Sequence, residues 1–440
     1  MAKNLVKKKS QKLFNKAKKI IPSGNMMISK NPELFLPNGW PSYFKKTKGS
    51  YIWDLDGKKY IDMSLMGVGT NTLGYSNAKI DEAVKKVINS GNMSTLNCYE
   101  EVLLAEKLIS LHPWSEMAKF TRSGGEANAV AIRIARASTG KENIAFCGYH
   151  GWHDWYLAAN LKSKKNLNTH LLKNLNTAGV PNSLINSIYS FKYNDFEGLK
   201  NIVYEKKIAA ICMEVMRNEE PKNNFLEKVR NLATKKGIVL IFDECTSGFR
   251  KNFGGLHKTY KVNPDIAIFG KALGNGYAIN AIIGKKSVME NCQKTFISST
   301  FWTERIGPAA ALATLNEMNR IKSWETINNN GLKIINLWRG LANKHNLDIS
   351  INGLPALCSM NFNYKNSQKY KTLITQEMLK NNILASNVIY SCVSHSIKMH
   401  KFYFDKLDKI FNLIKKCEDG LNINKILKFP VAKQNFQRIN

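Results

Sequence analysis

The spacing of hydrophobic and polar residues changes along this chain, and its most regular stretch lies between about residues 100 and 320. There, segments with apolar residues three and four positions apart alternate with short runs that are apolar throughout. Continuously apolar strands are typical of parallel sheets with helices on both faces, so the pattern predicts an α/β region built on a mainly parallel sheet. The predicted helices are 100–111, 126–137, 225–236 and 308–320, and the predicted strands are 118–121, 143–146, 209–214, 238–242, 265–269 and 279–284.

The two ends of the chain follow different patterns. Apolar residues at helical spacing stop at Pro22, and residues 51–62 contain two aromatic and β-branched runs on either side of Asp56 and Gly57, which is a hairpin signal. After about residue 325 the pattern becomes mixed. We therefore predict an amino-terminal arm and hairpin at 1–65, a large domain at 66–325, and a smaller carboxyl-terminal region at 326–440.

The composition is ordinary for a globular chain except in its charge. Of the 440 residues 44% are hydrophobic, but 65 Lys and Arg against 33 Asp and Glu give a net charge of +32. Such a surplus suggests nucleic-acid binding. However, only ten of the basic residues are arginine, the lysines are spread over the whole length, and no nucleic-acid-binding motif occurs. We expect a solvated basic surface and no nucleic-acid partner.

Neither a membrane segment nor a disulfide framework is visible in the sequence. No apolar run approaches the ~18 residues of a membrane span, and the lysine-rich first residues lack the apolar stretch of a signal peptide. The eight cysteines include no pair at the spacing of a zinc or redox motif. These features predict a cytoplasmic protein that does not associate with membranes.

Candidate chemistry lies at four places, each just after a predicted strand, which is where open α/β sheets bind ligands. At the first, Ser123, Gly124 and Gly125 precede a helix, whose free backbone N–H groups suit a phosphate. An ordinary glycine turn capped by Ser123 is the alternative. The spacing matches neither the dinucleotide-binding glycine motif nor a P-loop, which argues against NAD and ATP.

The second place, residues 148–155, combines two histidines and an aspartate with several aromatic residues. A metal site would need further ligands, and none lies nearby, so we predict no metal. The aromatic residues, Tyr149 among them, favour a wall against a planar ligand.

The third and fourth places supply a carboxylate and an amine. Asp243 ends a fully apolar strand, where a carboxylate needs a cationic partner; a structural ion pair with Arg250 is the alternative interpretation. Lys271 follows another apolar strand among glycines, and burial there would favour the neutral, nucleophilic amine over an ordinary surface lysine. A phosphate cradle, an aromatic wall, a carboxylate and a lysine together match the needs of pyridoxal 5′-phosphate (PLP).

The motifs resemble those of the class III, fold-type I PLP-dependent aminotransferases, and within them the group around glutamate-1-semialdehyde aminomutase. The resemblance extends from about residue 20 to 395. It rests on Ile-Pro-Ser-Gly at 21–24, Gly-Ser-Tyr-Ile-Trp-Asp-Leu-Asp-Gly at 49–57, Ser-Gly-Gly-Glu-Ala at 123–127, Gly-Tyr-His-Gly at 148–151, Asp-Glu-Cys-Thr-Ser-Gly-Phe-Arg at 243–250 and Pro-Asp-Ile-Ala-Ile-Phe-Gly-Lys at 264–271.

The resemblance implies a large PLP-binding domain, a smaller mixed α+β domain formed by both chain ends, and PLP as the cofactor. It also implies a role for each matching residue: Lys271 as the Schiff-base lysine, Asp243 as the partner of the pyridine nitrogen, Ser123, Gly124 and Gly125 at the phosphate, Tyr149 stacked on the ring, Glu214 at the cofactor, and Thr300 at the phosphate of a neighbouring subunit. A homodimer with shared active sites would follow from the last role.

Two departures from the aminomutase pattern concern the substrate carboxylate. No arginine precedes Arg122 and none lies between Arg339 and Arg438, so both carboxylate-binding arginines of the resembling enzymes are missing. Beside the cofactor, residues 300–308 introduce Trp302 and Arg305 as candidate substrate contacts. The remaining arginines near the predicted site are Arg122, Arg217 and Arg250.

We predict a PLP-dependent aminotransferase that moves an amino group between a small-molecule amino donor and an aldehyde or ketone acceptor through a Schiff base on Lys271. The alternative is glutamate-1-semialdehyde 2,1-aminomutase, in which both carbons belong to one molecule. A nucleic-acid-binding protein on a degenerate enzyme fold is disfavoured, because Lys271 and Asp243 are both present.

Overall fold

The computed structural model describes residues 9–163, 166–170 and 175–433, which divide into two compact units. The larger unit contains residues 78–325, and the smaller unit combines the described residues before 78 with those after 325. The helices are α1 (Lys9–Ile20), α2 (Met66–Gly69), α3 (Ala78–Asn89), α4 (Tyr99–Leu111), α5 (Gly124–Thr139), α6 (Asp154–Leu157), α7 (Phe196–Glu205), α8 (Phe225–Lys236), α9 (His257–Tyr260), α10 (Lys286–Met289), α11 (Ile306–Ile321), α12 (Ser323–Lys344), α13 (Ser367–Lys380) and α14 (Ile397–Glu418).

The strands belong to three sheets. They are β1 (Phe44–Lys48), β2 (Tyr51–Asp54), β3 (Lys59–Met63), β4 (Met117–Thr121), β5 (Asn143–Cys147), β6 (Ile188–Ser190), β7 (Ile208–Met213), β8 (Val239–Glu244), β9 (Ile266–Phe269), β10 (Asn280–Gly284), β11 (Ile349–Asn352), β12 (Leu357–Phe362), β13 (Ile383–Ala385) and β14 (Val388–Tyr390). In the larger unit, seven strands lie in the order β4-β10-β9-β8-β7-β5-β6.

The seven-stranded sheet confirms the predicted α/β architecture. β6, β5, β7, β8 and β9 are mutually parallel, whereas β10 is antiparallel to both β9 and β4. Every residue of β7, β8, β9 and β10 is buried, as the continuously apolar pattern indicated. All six predicted strands occur in this sheet, and β6 joins it at one edge.

Helix α5 packs on this sheet through small side chains. Ala127, Ala131 and Ala135 are fully buried there, in one hydrophobic core with Phe146 and Ile241 of the sheet. Alanines on one helical face allow the helix to lie close to the strands. This close packing fixes the beginning of α5 at the edge of the sheet where the candidate residues lie.

The smaller unit contains both ends of the described chain, as predicted from the resemblance. β1, β2 and β3 form an antiparallel meander, and the β2–β3 turn contains Gly57 with a φ of 81°. β13 pairs in parallel with β3, with Ile383 opposite Ile61, while β11, β12 and β14 form an antiparallel sheet of their own. Among the described residues, every helix is too short or too polar to traverse a bilayer.

Candidate active site

The candidate residues of the larger unit gather at one edge of the seven-stranded sheet. β5, β7, β8 and β9 are parallel, so their carboxyl ends bring Tyr149, Glu214, Asp243 and Lys271 to the same edge. β4 also runs parallel to β9, because both are antiparallel to β10, and it leads to Ser123. The structure therefore brings the candidate residues together at one edge of the sheet.

Asp243 is buried and receives three hydrogen bonds. Its Oδ2 lies 2.8 Å from His150 Nδ1 and 2.9 Å from Asn128 Nδ2, and its Oδ1 accepts the Cys245 N–H at 3.1 Å. The other ring nitrogen of His150, Nε2, lies 3.1 Å from the Cys147 carbonyl oxygen. Both imidazole nitrogens thus face acceptors, and only a protonated imidazole can donate to both.

The pair of Asp243 and His150 is consequently a carboxylate with an imidazolium. Burial by itself raises the pKa of Asp243, but the hydrogen bond and charge of His150, together with the other donors, hold this pKa below its ordinary value. Burial opposes the charged form of His150, yet the Cys212 and Asp243 side chains raise the pKa of His150 well above its ordinary value. Asp243 therefore carries a negative charge in an otherwise dry position.

Lys271 lies in a strained backbone conformation next to the same loop. Its φ is 45°, in the left-handed region, and its Nζ donates to Thr246 Oγ1 at 2.7 Å. The preceding Gly270 packs on Asn280 so closely that a Cβ atom at this position would lie 2.2 Å from Asn280 Nδ2. Positive φ values are costly for residues with side chains and occur where the surrounding structure requires them, often at active sites.

The start of α5 forms a cradle made of glycines. Ser123 is the N-cap, its Oγ accepts the Glu126 N–H, and the Glu126 carboxylate in turn accepts the Ser123 N–H. A Cβ on Gly125 would lie 2.7 Å from the His153 imidazole, and one on Gly124 would lie 3.3 Å from Cys245 Sγ. Backbone N–H groups in a first helical turn have no acceptor within the helix, so this cradle fits a phosphate group.

Tyr149 and Glu214 lie next to each other on the other side of Asp243. The Tyr149 N–H donates to Glu214 Oε2 at 3.4 Å, and the Tyr149 ring lies edge-to-face with Tyr156. Burial raises the pKa of the Tyr149 phenol. Glu214 forms a salt bridge with Arg217 at 2.9 Å, a pair whose two members are both largely buried.

The segment around Thr300 is attached beside the cradle. Arg122 Nη2 donates to the carbonyl oxygens of Trp302 and Glu304, both at 2.9 Å, and Arg122 also forms a salt bridge with Glu304. Trp302 is half-buried, whereas Thr300 is exposed. Since Arg122 directly precedes Ser123, these contacts hold the segment close to the start of α5.

Arg305 is bound by other groups of the same chain. Its Nη2 and Nε contact the Glu100 carboxylate at 2.7 and 3.2 Å, and its Nη1 donates to the Gly91 carbonyl oxygen at 3.0 Å. A guanidinium bound on three sides in this way is not presented as a fork to another carboxylate. The arrangement favours a role for Arg305 in fixing the segment rather than in substrate binding.

The acidic residue next to Asp243 belongs to a separate buried network. Glu244 contacts His257 at 2.5 Å, and Trp114 Nε1 donates to the other nitrogen of His257 at 2.9 Å. Arg250, the alternative ion-pair partner of Asp243 considered from the sequence, donates through Nε to the Thr246 carbonyl oxygen at 2.5 Å. The structure therefore gives Asp243 and Glu244 two different histidine partners.

Four residues of the site were not assigned a role from the sequence: His150, Asn128, Thr246 and Arg217. His150 and Thr246 lie inside motifs shared with the class III aminotransferases, but the sequence does not identify their hydrogen-bond partners. Asn128 lies one turn into α5, where its side chain reaches both the Gly124 carbonyl oxygen and Asp243. Its hydrogen bond to Asp243 is what distinguishes Asn128 from the neighbouring core residues of α5.

The sequence of the chain matches a known protein family. The family model described as aminotransferase class-III matches residues 38–417. The chain is 34% identical over 411 residues to 3-aminobutyryl-CoA aminotransferase from Cloacimonas acidaminovorans, which covers 90% of this chain and 95% of that protein. It is 36% identical over 321 residues to glutamate-1-semialdehyde 2,1-aminomutase from Methanobrevibacter smithii, with coverages of 70% and 73%.

A solved structure confirms the predicted fold. The FumI protein of Sphingopyxis sp. MTA144, solved in a PLP-containing form, superposes with a TM-score of 0.84 at 23% identity, over 95% of this chain and 99% of that chain. The architecture is therefore the fold-type I arrangement expected from the resemblance.

Proposed function

The chain belongs to the class III aminotransferase family and is a PLP-dependent enzyme, and we propose that it moves an amino group between a small-molecule amino donor and an aldehyde or ketone acceptor. The observation that carries this proposal is the buried Asp243 carboxylate, held by His150 and Asn128 at the same sheet edge as Lys271 and the glycine cradle. These residues supply a base, an anion and a phosphate cradle, which together suit the cofactor.

We assign each residue of this edge a part in holding the cofactor. Gly124 and Gly125, with Ser123 as the cap of α5, are proposed to hold its phosphate through backbone N–H groups. Asp243 is proposed to hold a proton on the pyridine nitrogen, and Tyr149 and Glu214 to flank the ring. The chemistry that bound PLP supplies is electron withdrawal from the carbon atom that bears the amino group.

Lys271 is proposed to act as the base and acid of the reaction. Its Nζ is 2.7 Å from Thr246 Oγ1, so a hydroxyl group is in place to orient it. The neutral amine accepts the proton from the carbon that carries the amino group, and the ammonium form returns it at the other end of the transfer. His150 keeps Asp243 ionised during this exchange, because the pKa of that carboxyl remains low.

We also propose that the enzyme works as a homodimer with shared sites. Thr300 is exposed and is followed by Phe301, which is 70% exposed, while Phe296 is 84% exposed. Contiguous exposed apolar patches mark contact surfaces, and these two phenylalanines lie on one short segment of the chain. A partner that covers them would bring Thr300 to its neighbour's cofactor phosphate.

The location we propose is the cytoplasm, with no nucleic-acid partner. All eight cysteines are free thiols in the structure, and five of them are buried, which suits a reducing compartment.

Glutamate-1-semialdehyde 2,1-aminomutase is the second candidate function, because relatives at 31–36% identity carry that name. Its substrate has a free carboxylate. The contacts of Arg122 and Arg305 with Glu304 and Glu100 support the transferase over the mutase, since those guanidinium groups already hold carboxylates.

A substrate screen tests the proposal. The purified, cofactor-loaded enzyme is mixed with a panel of amines, and loss of the cofactor's absorption near its lysine-bound maximum reports amino transfer. Keto-acid and aldehyde acceptors are then tested for reversal. We expect at least one amine to react. Conversion of glutamate-1-semialdehyde to 5-aminolevulinate, with no external amine reacting, would instead support the mutase.

A further inference from the structure

A cavity of about 670 Å³ lies in the smaller unit. Its walls come from α1, the loop at 32–42, the β2–β3 turn, the end of α13 and the segment at 428–430, all of which belong to that unit. Pockets of roughly 300–1,000 Å³ are the size that holds small-molecule ligands. The residues assigned above to the cofactor belong to the larger unit, so this cavity has no part in the chemistry proposed for Lys271 and Asp243.

Part of the cavity wall is apolar and largely aromatic. It is formed by Phe14, Leu36, Trp40, Leu379 and Phe429. Phe35 stacks on the indole of Trp40, with the ring centres 4.5 Å apart and the planes 12° from parallel. A Cβ on Gly39 would lie 2.8 Å from the Phe429 ring, so the glycine allows this ring to pack close to the loop. Aromatic rings held in this way offer a firm surface for a planar group of a ligand.

Four lysines line the same cavity. They are Lys18, Lys58, Lys380 and Lys428. The Nζ atom of Lys18 lies 5.2 Å from the centre of the Phe14 ring, which places this ammonium beside the aromatic wall. The backbone of Lys428 is held by the buried Gln376, whose Oε1 accepts the Lys428 N–H at 2.7 Å. Positive charge and aromatic surface therefore occur together in one cavity.

The charges at the cavity do not cancel. Glu33, at its wall, is paired at 2.5 Å with a lysine from outside the cavity, and Lys380 is paired with Glu377 at 2.6 Å. In the part of the chain that the structure describes, neither Lys18 nor Lys428 forms a salt bridge with a carboxylate. A surplus of cations at the wall of a cavity attracts an anion.

The remaining wall groups distinguish between classes of anion. Asn15, Asn38 and Ser42 add amide and hydroxyl groups to the wall. The alkyl chain of a fatty acid would leave these polar groups without hydrogen bonds, which is unfavourable. A nucleoside phosphate suits all three parts of the wall, because its base can stack on aromatic rings, its sugar hydroxyls can bind amides, and its phosphates can bind lysines.

We propose that this cavity binds a nucleoside diphosphate, with the base against Trp40 and Phe429 and the two phosphate groups at Lys18 and Lys428. The two lysines without a carboxylate partner match the two phosphate groups. The proposal concerns a second ligand site and does not depend on the aminotransferase function.

Isothermal titration calorimetry of the PLP-loaded protein tests the proposal. ADP, GDP, CDP and UDP are each titrated, followed by the nucleoside of the best ligand and by pyrophosphate. At least one nucleoside diphosphate should bind with one molecule per chain, about tenfold or more tightly than its nucleoside or pyrophosphate alone. Failure of all four to bind at about 1 mM would overturn the proposal, and so would pyrophosphate binding as tightly as the nucleotide.

A matched pair of double variants separates this site from the general attraction of a chain with a net charge of +32. Lys18→Gln with Lys428→Gln should weaken nucleotide binding about tenfold or more. Lys12→Gln with Lys425→Gln is the control, because these lysines are also exposed and lie on α1 and just before Lys428, but do not line the cavity. Equal weakening in both double variants would show binding to the net charge only and would overturn the proposal.

A second measurement uses the wild type and needs no variant to fold. Lysines are acetylated with and without the best nucleotide, and the sites are measured by mass spectrometry. The nucleotide should slow acetylation of Lys18 and Lys428 but not of Lys12 and Lys425. Unchanged acetylation of Lys18 and Lys428 at a saturating nucleotide concentration would place the ligand elsewhere and refute the proposal. Because both readouts measure binding, an enzyme that transfers no amino group would leave this test intact.

Discussion

Replacing Asp243 by asparagine isolates the electrostatic part of the candidate site, because the side chain keeps its shape and loses its charge. In the native protein, the carboxylate accepts hydrogen bonds from His150, Asn128 and the Cys245 N–H. An asparagine amide can place its oxygen toward only one side. Its NH₂ group must then face at least one N–H donor, so one of these hydrogen bonds is lost and a donor is left unpaired.

The substitution should have two separate effects, one on stability and one on turnover. An unpaired buried donor costs about 1–3 kcal/mol, which should appear as a lower free energy of unfolding. The loss of the anion also removes the partner that keeps a proton on the pyridine nitrogen. By analogy with other single electrostatic groups in active sites, the turnover rate should fall about 10²- to 10³-fold, while cofactor binding through the α5 cradle persists.

The assay compares three quantities in the wild type and in Asp243→Asn. These are the rate of the half-reaction with the best amine of the screen, the dissociation constant of PLP, and the free energy of unfolding in urea. Asn128→Ala is the matched control: it removes one of the hydrogen bonds to Asp243 but leaves the charge, and should cost far less than the aspartate in rate. Activity of Asp243→Asn within a few-fold of the wild type would refute the role of the carboxylate.

The remaining predictions concern the lysine, the histidine pair and the substrate. Borohydride should attach the cofactor covalently to the wild type but not to Lys271→Ala, as detected by mass spectrometry; retained labelling would contradict the assignment. Because the pKa of His150 is raised in the folded protein, protonated His150 stabilises the fold fully at pH values below its unfolded pKa of 6.5. This stabilisation is lost as the pH rises through the folded pKa. The free energy of unfolding of the cofactor-free protein should therefore fall by up to about 1.4 kcal/mol per pH unit above 6.5, and this slope should vanish in Asp243→Asn. At the acid end, the pKa of Asp243 is lowered from 3.8, so the stabilisation from its carboxylate is lost only as the pH falls below 3.8. Glutamate-1-semialdehyde should give little 5-aminolevulinate, so the gene should not rescue a 5-aminolevulinate auxotroph; efficient rescue would restore the aminomutase.

Most of the fold of the larger unit could be predicted from the amino-acid sequence. Continuous apolar runs identified β7, β8, β9 and β10, because a strand buried on both faces must be apolar at every position. The helical spacing of α4 and α5 was visible in the same way. β6 was not predicted, because three residues are too few for a periodic pattern, and α3 was not predicted although its buried residues Ile80, Val84 and Val87 have helical spacing.

The sequence also located Lys271, Asp243 and the Ser123–Gly125 turn, because each directly follows a strand. In a parallel sheet the carboxyl ends of the strands share one edge, so local position along the chain already implies proximity. The pairing of both chain ends in the smaller unit followed from family resemblance, and it depends on β13 lying beside β3, residues that are far apart along the chain.

Which side chains pair with one another depends on the three-dimensional fold. His150 binds Asp243 from 93 residues away, Asn128 reaches it from α5, and Arg305 binds Glu100 across 205 residues. These contacts depend on where the fold brings each side chain, and no local periodicity encodes that. For the same reason the sequence could count the arginines near the site but could not show that Arg305 pairs with Glu100, or Arg217 with Glu214.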